Sequence, residues 1–156
     1  MRALPPAALS SSQSEPVFNP ILKQAYERTT YWVFPAPHQR FALRCGDVSA
    51  ALDLLLTLAQ CQQWAFITAC NPQSIQLTEA ENSVRMARLA TVVEQGGWAC
   101  LPGLGEGAAG DWPPEESLLV LGIEAAEALA LARQFEQAAL LLGAVEEPAR
   151  LVWTDS

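Results

Sequence analysis

Apolar residues along this chain change period several times, from the two-residue repeat of strands to the 3.6-residue repeat of helices, and those changes mark its elements. Residues 1–16 are rich in Ala, Pro, Ser and Gln and carry no period; they are expected to form a flexible tail ahead of one domain over 17–156. One helical turn is expected over 21–26, after Asn19 and Pro20. Residues 29–34 are β-branched and aromatic, which suits a strand. Pro35-Ala36-Pro37 ends it, and a second strand over 41–44 would complete a hairpin. Gly46-Asp47 opens a helix capped by Asp47 or Ser49, with Ala51, Leu54, Leu55 and Leu58 expected to face the sheet.

The stretch 64–70 is apolar with almost no alternation, as in a central strand covered on both faces or nearly so. It breaks at Asn71-Pro72 and crosses a polar loop to Thr78. Thr78-Glu79-Ala80-Glu81 is a capping box, in which the hydroxyl takes the third amide and the carboxylate reaches back to the cap. The helix it opens runs through Val84, Ala87, Ala90 and Val93 and stops at Gly96-Gly97. A strand over 98–101, a loop of Gly and Pro over 102–114, and a strand over 117–123 come next. Then come a helix over 124–135, a strand over 138–145, a turn at Glu146-Glu147-Pro148 and an edge strand over 150–153. The order is β-β-α-β-α-β-β-α-β-β. Its segment 64–145 has the β-α-β-β-α-β order of split, ferredoxin-like folds, so the expected class is α+β, a mixed sheet with helices mainly on one face. The apolar central strand equally suits a three-layer arrangement with helices on both faces.

Composition narrows the function classes. A chain of 156 residues fits one domain and can bury roughly two-thirds of its unfolded surface. At 51% hydrophobic it can build a core without disulfides or metal. A formal charge of -8 argues against nucleic acid as a partner, since phosphate binding needs a basic stripe. No apolar run reaches the ~18 residues of a membrane span. Cys45, Cys61, Cys70 and Cys100 form no C-x-x-C pair. Cys70 at a strand end and Cys100 inside a strand are expected to pack as small apolar residues, and all four to be reduced thiols of a cytoplasmic protein. A secreted protein with two disulfides would want a signal peptide, and the segment after Arg2 is short and broken by Pro5-Pro6.

Three stretches carry a resemblance. They are Ala65-Phe66-Ile67-Thr68-Ala69-Cys70-Asn71-Pro72 with Glu81-Asn82, the run from Gly110-Asp111-Trp112 through Glu115-Glu116-Ser117 to Val120, and Phe135-Glu136-Gln137-Ala138. Together they resemble an uncharacterised bacterial family known only as a domain of unknown function, whose motifs read F-I-T-A-x-N-P, E-N, W-x-x-E-x-S-x-x-V and F-G-Q-x-A. The resemblance covers 26–152. It implies a compact cytoplasmic domain and singles out Thr68, Asn71, Glu81, Asn82, Glu116, Ser117 and Gln137. The chain departs at Glu136, where the family often has Gly, which leaves open the turn conformation before the next strand.

The candidate chemistry gathers at 71–85. A helix amino terminus offers free amides and partial positive charge to an anion or a carbonyl-bearing ligand. Asn71 and Ser74 supply loop hydrogen bonds, while Glu81 and Arg85 lie four apart on one helix face with Arg88 near by. The plain alternative is a turn, a cap and solvated arginines. Gly105-Glu106-Gly107-Ala108-Ala109-Gly110 spells G-x-G-x-x-G, but Trp112-Pro113-Pro114 forbids the helix a dinucleotide site needs, and no P-loop lysine is present. The stretch 102–114 is better read as a flexible loop, a lid over the corner, with Trp112 placed to cover a ligand. The other tryptophans suit core or sheet-edge packing. Glu115, Glu116 and Ser117 enter a strand directly after that loop, and a carboxylate there reads either as a general base or hydroxyl ligand or as a gatekeeper charge. His38 is the sole histidine, with no zinc-like cluster and no nucleophile elbow.

The function expected is a non-catalytic module that binds a small polar or anionic ligand, or a protein partner, at this corner through Thr68, Asn71, Ser74, Glu81, Asn82, Arg85, Trp112, Ser117 and Gln137. No cofactor or metal is expected. The alternative is a hydrolase or transferase acting on an anionic or nucleotide-like substrate, with Glu81 or Glu116 as base and Asn71 and Arg85 orienting the substrate. An open sheet edge would instead serve a protein partner or a homodimer.

Overall fold

The computed structural model describes residues 20–108 and 113–155. The expected tail and Trp112 lie outside them. The elements are α1 (Pro20–Arg28), β1 (Thr30–Ala36), β2 (Gln39–Leu43), α2 (Ala50–Leu58), β3 (Gln63–Ile67), α3 (Glu79–Gln95), β4 (Ala99–Glu106), β5 (Glu115–Leu121), α4 (Ala125–Gln134), β6 (Ala139–Ala144) and β7 (Arg150–Trp153). Two helix starts agree closely with the sequence. Ser49 Oγ accepts from Leu52 N at 3.1 Å, and Thr78 and Glu81 complete the capping box of α3.

The strands form one sheet in the order β2-β1-β4-β5-β3-β6-β7. The mixed sheet expected from the sequence is replaced by one that is antiparallel at every pairing. The connections explain this. α3 carries the chain from β3 over β5 to β4, and α4 carries it from β5 over β3 to β6. Each helix therefore returns a parallel strand with an antiparallel one already between the two.

Alternation along β3 divides the core. Ala65 and Ile67 pack with Met86, Leu89 and Val93 of α3 and Ala128, Leu131 and Ala132 of α4. Trp64 and Phe66 pack on the other face with Leu52 and Leu56 of α2 and with Tyr31, Val33 and Leu43. Helices thus cover both faces, which corrects the expectation of helices mainly on one and accounts for the uniformly apolar β3. The buried positions of α2 are also out of phase with the expected stripe. Leu52 and Leu56 are buried, whereas Leu54 is 61% and Leu58 74% exposed. Leucine occurs on every side of this helix, so its pattern could not fix the rotation.

Two further expectations change. β4 continues through Pro102, Gly103, Leu104 and Gly105, pairing with both β5 and β1, so the glycine-rich loop begins only beyond Glu106. At Gly103 an added Cβ would stand 2.7 Å from the Phe66 ring, so the glycine lets the sheet and core approach. Cys100 is exposed rather than packed in the core.

The sheet curls until its two edges meet. Gly46 N donates to Ala149 O at 2.7 Å and Ala149 N donates to Asp47 O at 3.0 Å, joining the segment after β2 to the one before β7. Asp53 of α2 accepts from Glu146 N at 3.0 Å. α1 spans the same seam, with the Tyr26 ring edge-on to Trp153 at 5.6 Å and its carbonyl accepting from the Tyr31 hydroxyl at 2.8 Å. Among the described residues no helix is long and apolar enough to cross a membrane.

Candidate functional site

β3 ends at Ile67, earlier than expected, because the chain then turns sharply through Asn71. Asn71 is left-handed at φ 50, a conformation that Asn tolerates better than most residues. Its amide donates to Asn82 Oδ1 at 2.9 Å and its Oδ1 accepts from Asn82 Nδ2 at 2.9 Å and Leu77 N at 2.8 Å. The remaining donor, Nδ2, reaches Glu115 Oε2 at 2.6 Å. Asn71 is 5% exposed, and its main-chain amide, its Oδ1 and its Nδ2 each have a protein partner.

The second half of the corner is built on Arg85 and Gln137. Arg85 Nε donates to Ala69 O at 2.6 Å, its Nη2 donates to Phe135 O, and Nη1 lies 3.5 Å from Glu136 Oε1. Gln137 Nε2 donates to Cys70 O at 2.9 Å, and Gln137 O accepts from Thr154 Oγ1 at 2.6 Å. Thr68 Oγ1 donates to Glu116 O at 2.6 Å and accepts from Cys70 N at 3.0 Å. These side chains bond chiefly to main chain and tie the β3 exit, α3, β5 and the α4–β6 turn into one clamp. Arg85 pairs with Glu136 across the turn instead of with Glu81 on its own helix.

Outside the clamp lies a ledge of unusual backbone. Gln73 at φ 53 and Ser74 at φ 61 are left-handed without being glycine, and so is Glu136 at φ 59 on the facing turn. Gln73 N and Nε2 both donate to Glu136 O, at 2.7 and 3.2 Å, which holds the two strained turns together. Each such residue costs on the order of 1 kcal/mol or more, so the clamp maintains a shape that the local chain would not choose.

The sequence-derived residues are thus brought together unevenly. Thr68, Asn71, Asn82, Arg85 and Gln137 belong to the clamp. Ser117 is buried in β5, its hydroxyl donating to Glu115 O at 3.1 Å. Ser74 stands on the ledge. Glu81 is exposed and engaged in the capping box, its carboxyl held below the usual range first by the Thr78 amide and then by the Thr78 hydroxyl. Glu116 is exposed on the opposite side of β5 from Glu115. Burial pushes the Cys70 thiol up.

Two members of the site lay outside the expected set. Glu115 is the carboxylate that meets Asn71, and counting W-x-x-E from Trp112 already points to it. Tyr26 is the other. Its hydroxyl lies beside the Ser74 side chain, and burial first, then the charge of Glu115, pushes it up to about 12. A tyrosine in a short polar helix gave no signal of this role. Among the described residues no three His, Cys, Asp or Glu side chains group as metal ligands would.

Residues 67–140 match a family model described as a protein of unknown function, DUF3293. That span runs from the end of β3 into β6 and contains both halves of the clamp. No curated protein and no solved structure matches the chain.

Proposed function

We propose that this protein is a non-catalytic binding module whose recognition element is the ledge 71–77, presented to a small polar ligand or a segment of a protein partner. The observation that carries this reading is the grouping of left-handed, non-glycine residues at Asn71, Gln73, Ser74 and Glu136 over a hydrogen-bonded polar clamp. Strain persists where the surrounding structure holds it, and it collects at ligand clamps and switch regions. The clamp residues, with their polar groups bonded to the protein, act as positioning residues. Gln73 and Ser74 supply the exposed amide and hydroxyl. We also read the β4-β5-β3-β6 core as ferredoxin-like, supported by its two crossovers, and the protein as cytoplasmic, supported by its four free cysteines.

A thermal-shift screen against metabolites and nucleotides tests the reading. Gln73→Gly and Ser74→Gly remove the polar side chains and accept the left-handed backbone. Each removes one contact of the corner, Gln73 Nε2 to Glu136 O or the Ser74 side chain to Tyr26, so each is expected to stay folded with a modestly lowered unliganded melting temperature and to abolish the shift produced by a hit. A hit that survives both substitutions would move the site elsewhere.

A hydrolase or transferase acting on an anionic or nucleotide-like substrate is the second reading. Glu115, 2.6 Å from Asn71 Nδ2 and beside Tyr26, favours it. Turnover lost in a folded Glu115→Gln variant would support that reading over the first.

A further inference from the structure

We infer that the outer edge of β2 receives an extended segment of a protein partner as an added strand, one whose side chains alternate between acidic and apolar. β2 ends the sheet, with β1 on one side and no strand on the other. The bonds of the seam begin only past it, at Gly46. Among the described residues, Gln39–Leu43 makes no main-chain hydrogen bond on the side away from β1. Such a row of unpaired amides and carbonyls is a template for another strand.

The side chains of the edge dictate what it accepts. Phe41 and Leu43 turn toward the core around Tyr31 and Val33, while Arg40 and Ala42 lie on the opposite face, both exposed. The Arg40 guanidinium stands 4.1 Å over the Trp32 ring, whose Nε1 donates to Glu106 on the far side of β1 at 3.1 Å. Arg44, just past the strand, donates to Arg28 O at 3.4 Å. Neither Arg40 nor Arg44 forms an ion pair among the described residues. Residues 38–44 hold these two arginines and His38 and no acidic residue, a local reversal of charge on a chain of net charge -8. An incoming strand of alternating pattern sets its carboxylates beside Arg40 and its apolar side chains beside Phe41. A second copy of β2 is the wrong occupant, since pairing about Ala42 would set Arg40 against Arg44. Charge on this edge thus deters a like strand and invites an oppositely charged one.

The test is fluorescence anisotropy of the intact protein with a blocked hexapeptide of alternating glutamate and valine, labelled with a neutral fluorophore. The same peptide with lysine for glutamate is expected not to bind. Two further versions carry N-methyl groups on the valine amides or on the glutamate amides. Alternate amides of a strand face opposite edges, so one methylated version is expected to lose binding and the other to keep it. The double variant Arg40→Gln with Arg44→Gln is expected to bind the glutamate peptide roughly tenfold more weakly, the combined effect of two exposed ion pairs. The methylated pair is read on the unaltered protein, so it decides the matter even where the double variant fails to fold. Failure of the glutamate peptide to bind, equal binding of the lysine peptide, equal effects of the two methylation patterns, or undiminished binding by a folded double variant would each overturn the inference.

Discussion

Glu136 adopts a left-handed backbone at φ 59, a conformation that glycine takes without steric cost and a glutamate does not. Part of that cost is offset by the carboxylate, which lies 3.5 Å from Arg85, although at 60% side-chain exposure such a pair contributes little. Glu136→Gly is therefore expected to leave stability unchanged or raise it by up to about 1 kcal/mol. Glu136→Val, which puts a β-branched residue in the same conformation, should lower it by about 2 kcal/mol or more. Urea denaturation of the two variants separates these outcomes, and equal destabilisation by both would mean that the ion pair, not the backbone, matters here. At this scale the sequence was informative where a side chain has one role. Thr78 and Glu81 were legible as a cap because their spacing alone forms it. Arg85 was not, because its main-chain partners at Ala69 and Phe135 are set by tertiary packing.

Elements were legible to the extent that their period is unambiguous. β3 and the capped α3 stand out from neighbours of different composition, whereas a helix with leucine on all sides offers no preferred rotation. β4 looks shorter in sequence than it is because Pro102, Gly103 and Gly105 are turn formers, yet here Gly103 allows close packing within a strand. The same principle operates at Gly143 in β6, where an added Cβ would stand 2.4 Å from the Trp64 ring. Trp64 is 2% exposed, so the ring has no solvent to move into. Gly143→Ala is accordingly expected to destabilise by about 1–3 kcal/mol, the usual range for overpacking a core, as measured by chemical denaturation. Gly107→Ala, where nothing lies within 4 Å, is the matched control with little expected change.

At the scale of the whole molecule, closure of the sheet is what the sequence could not reveal. The meeting of Gly46 with Ala149 depends on accumulated twist and curl across seven strands, and no local pattern encodes it. Tyr31 is buried and Tyr26 half-buried at the closed seam, and they are the chain's two tyrosines, which gives closure a spectroscopic signature. Tyr26 is pushed up to about 12 and Tyr31 higher still, in both cases chiefly by burial. A raised tyrosine pKa favours the folded state fully below the ordinary value near 10, and that contribution is lost as pH climbs through the folded-state value. The native protein is expected to show little tyrosinate absorbance at about pH 11, with absorbance and unfolding rising together nearer pH 12. Ionisation of either tyrosine near pH 10 in the folded protein would contradict a closed seam.

Tyr26 also has neighbours in two places, Ser74 and Glu115 on one side and Trp153 on the other. A compound that changes the preferred pose of this ring at Trp153 must change, by an equal free energy, how readily its hydroxyl stays with Ser74, and the reverse holds identically. The surroundings of Ser74 and of Trp153 are therefore thermodynamically reciprocal through one aromatic side chain, and Tyr26→Phe would sever the hydroxyl half of that link while preserving the ring contact.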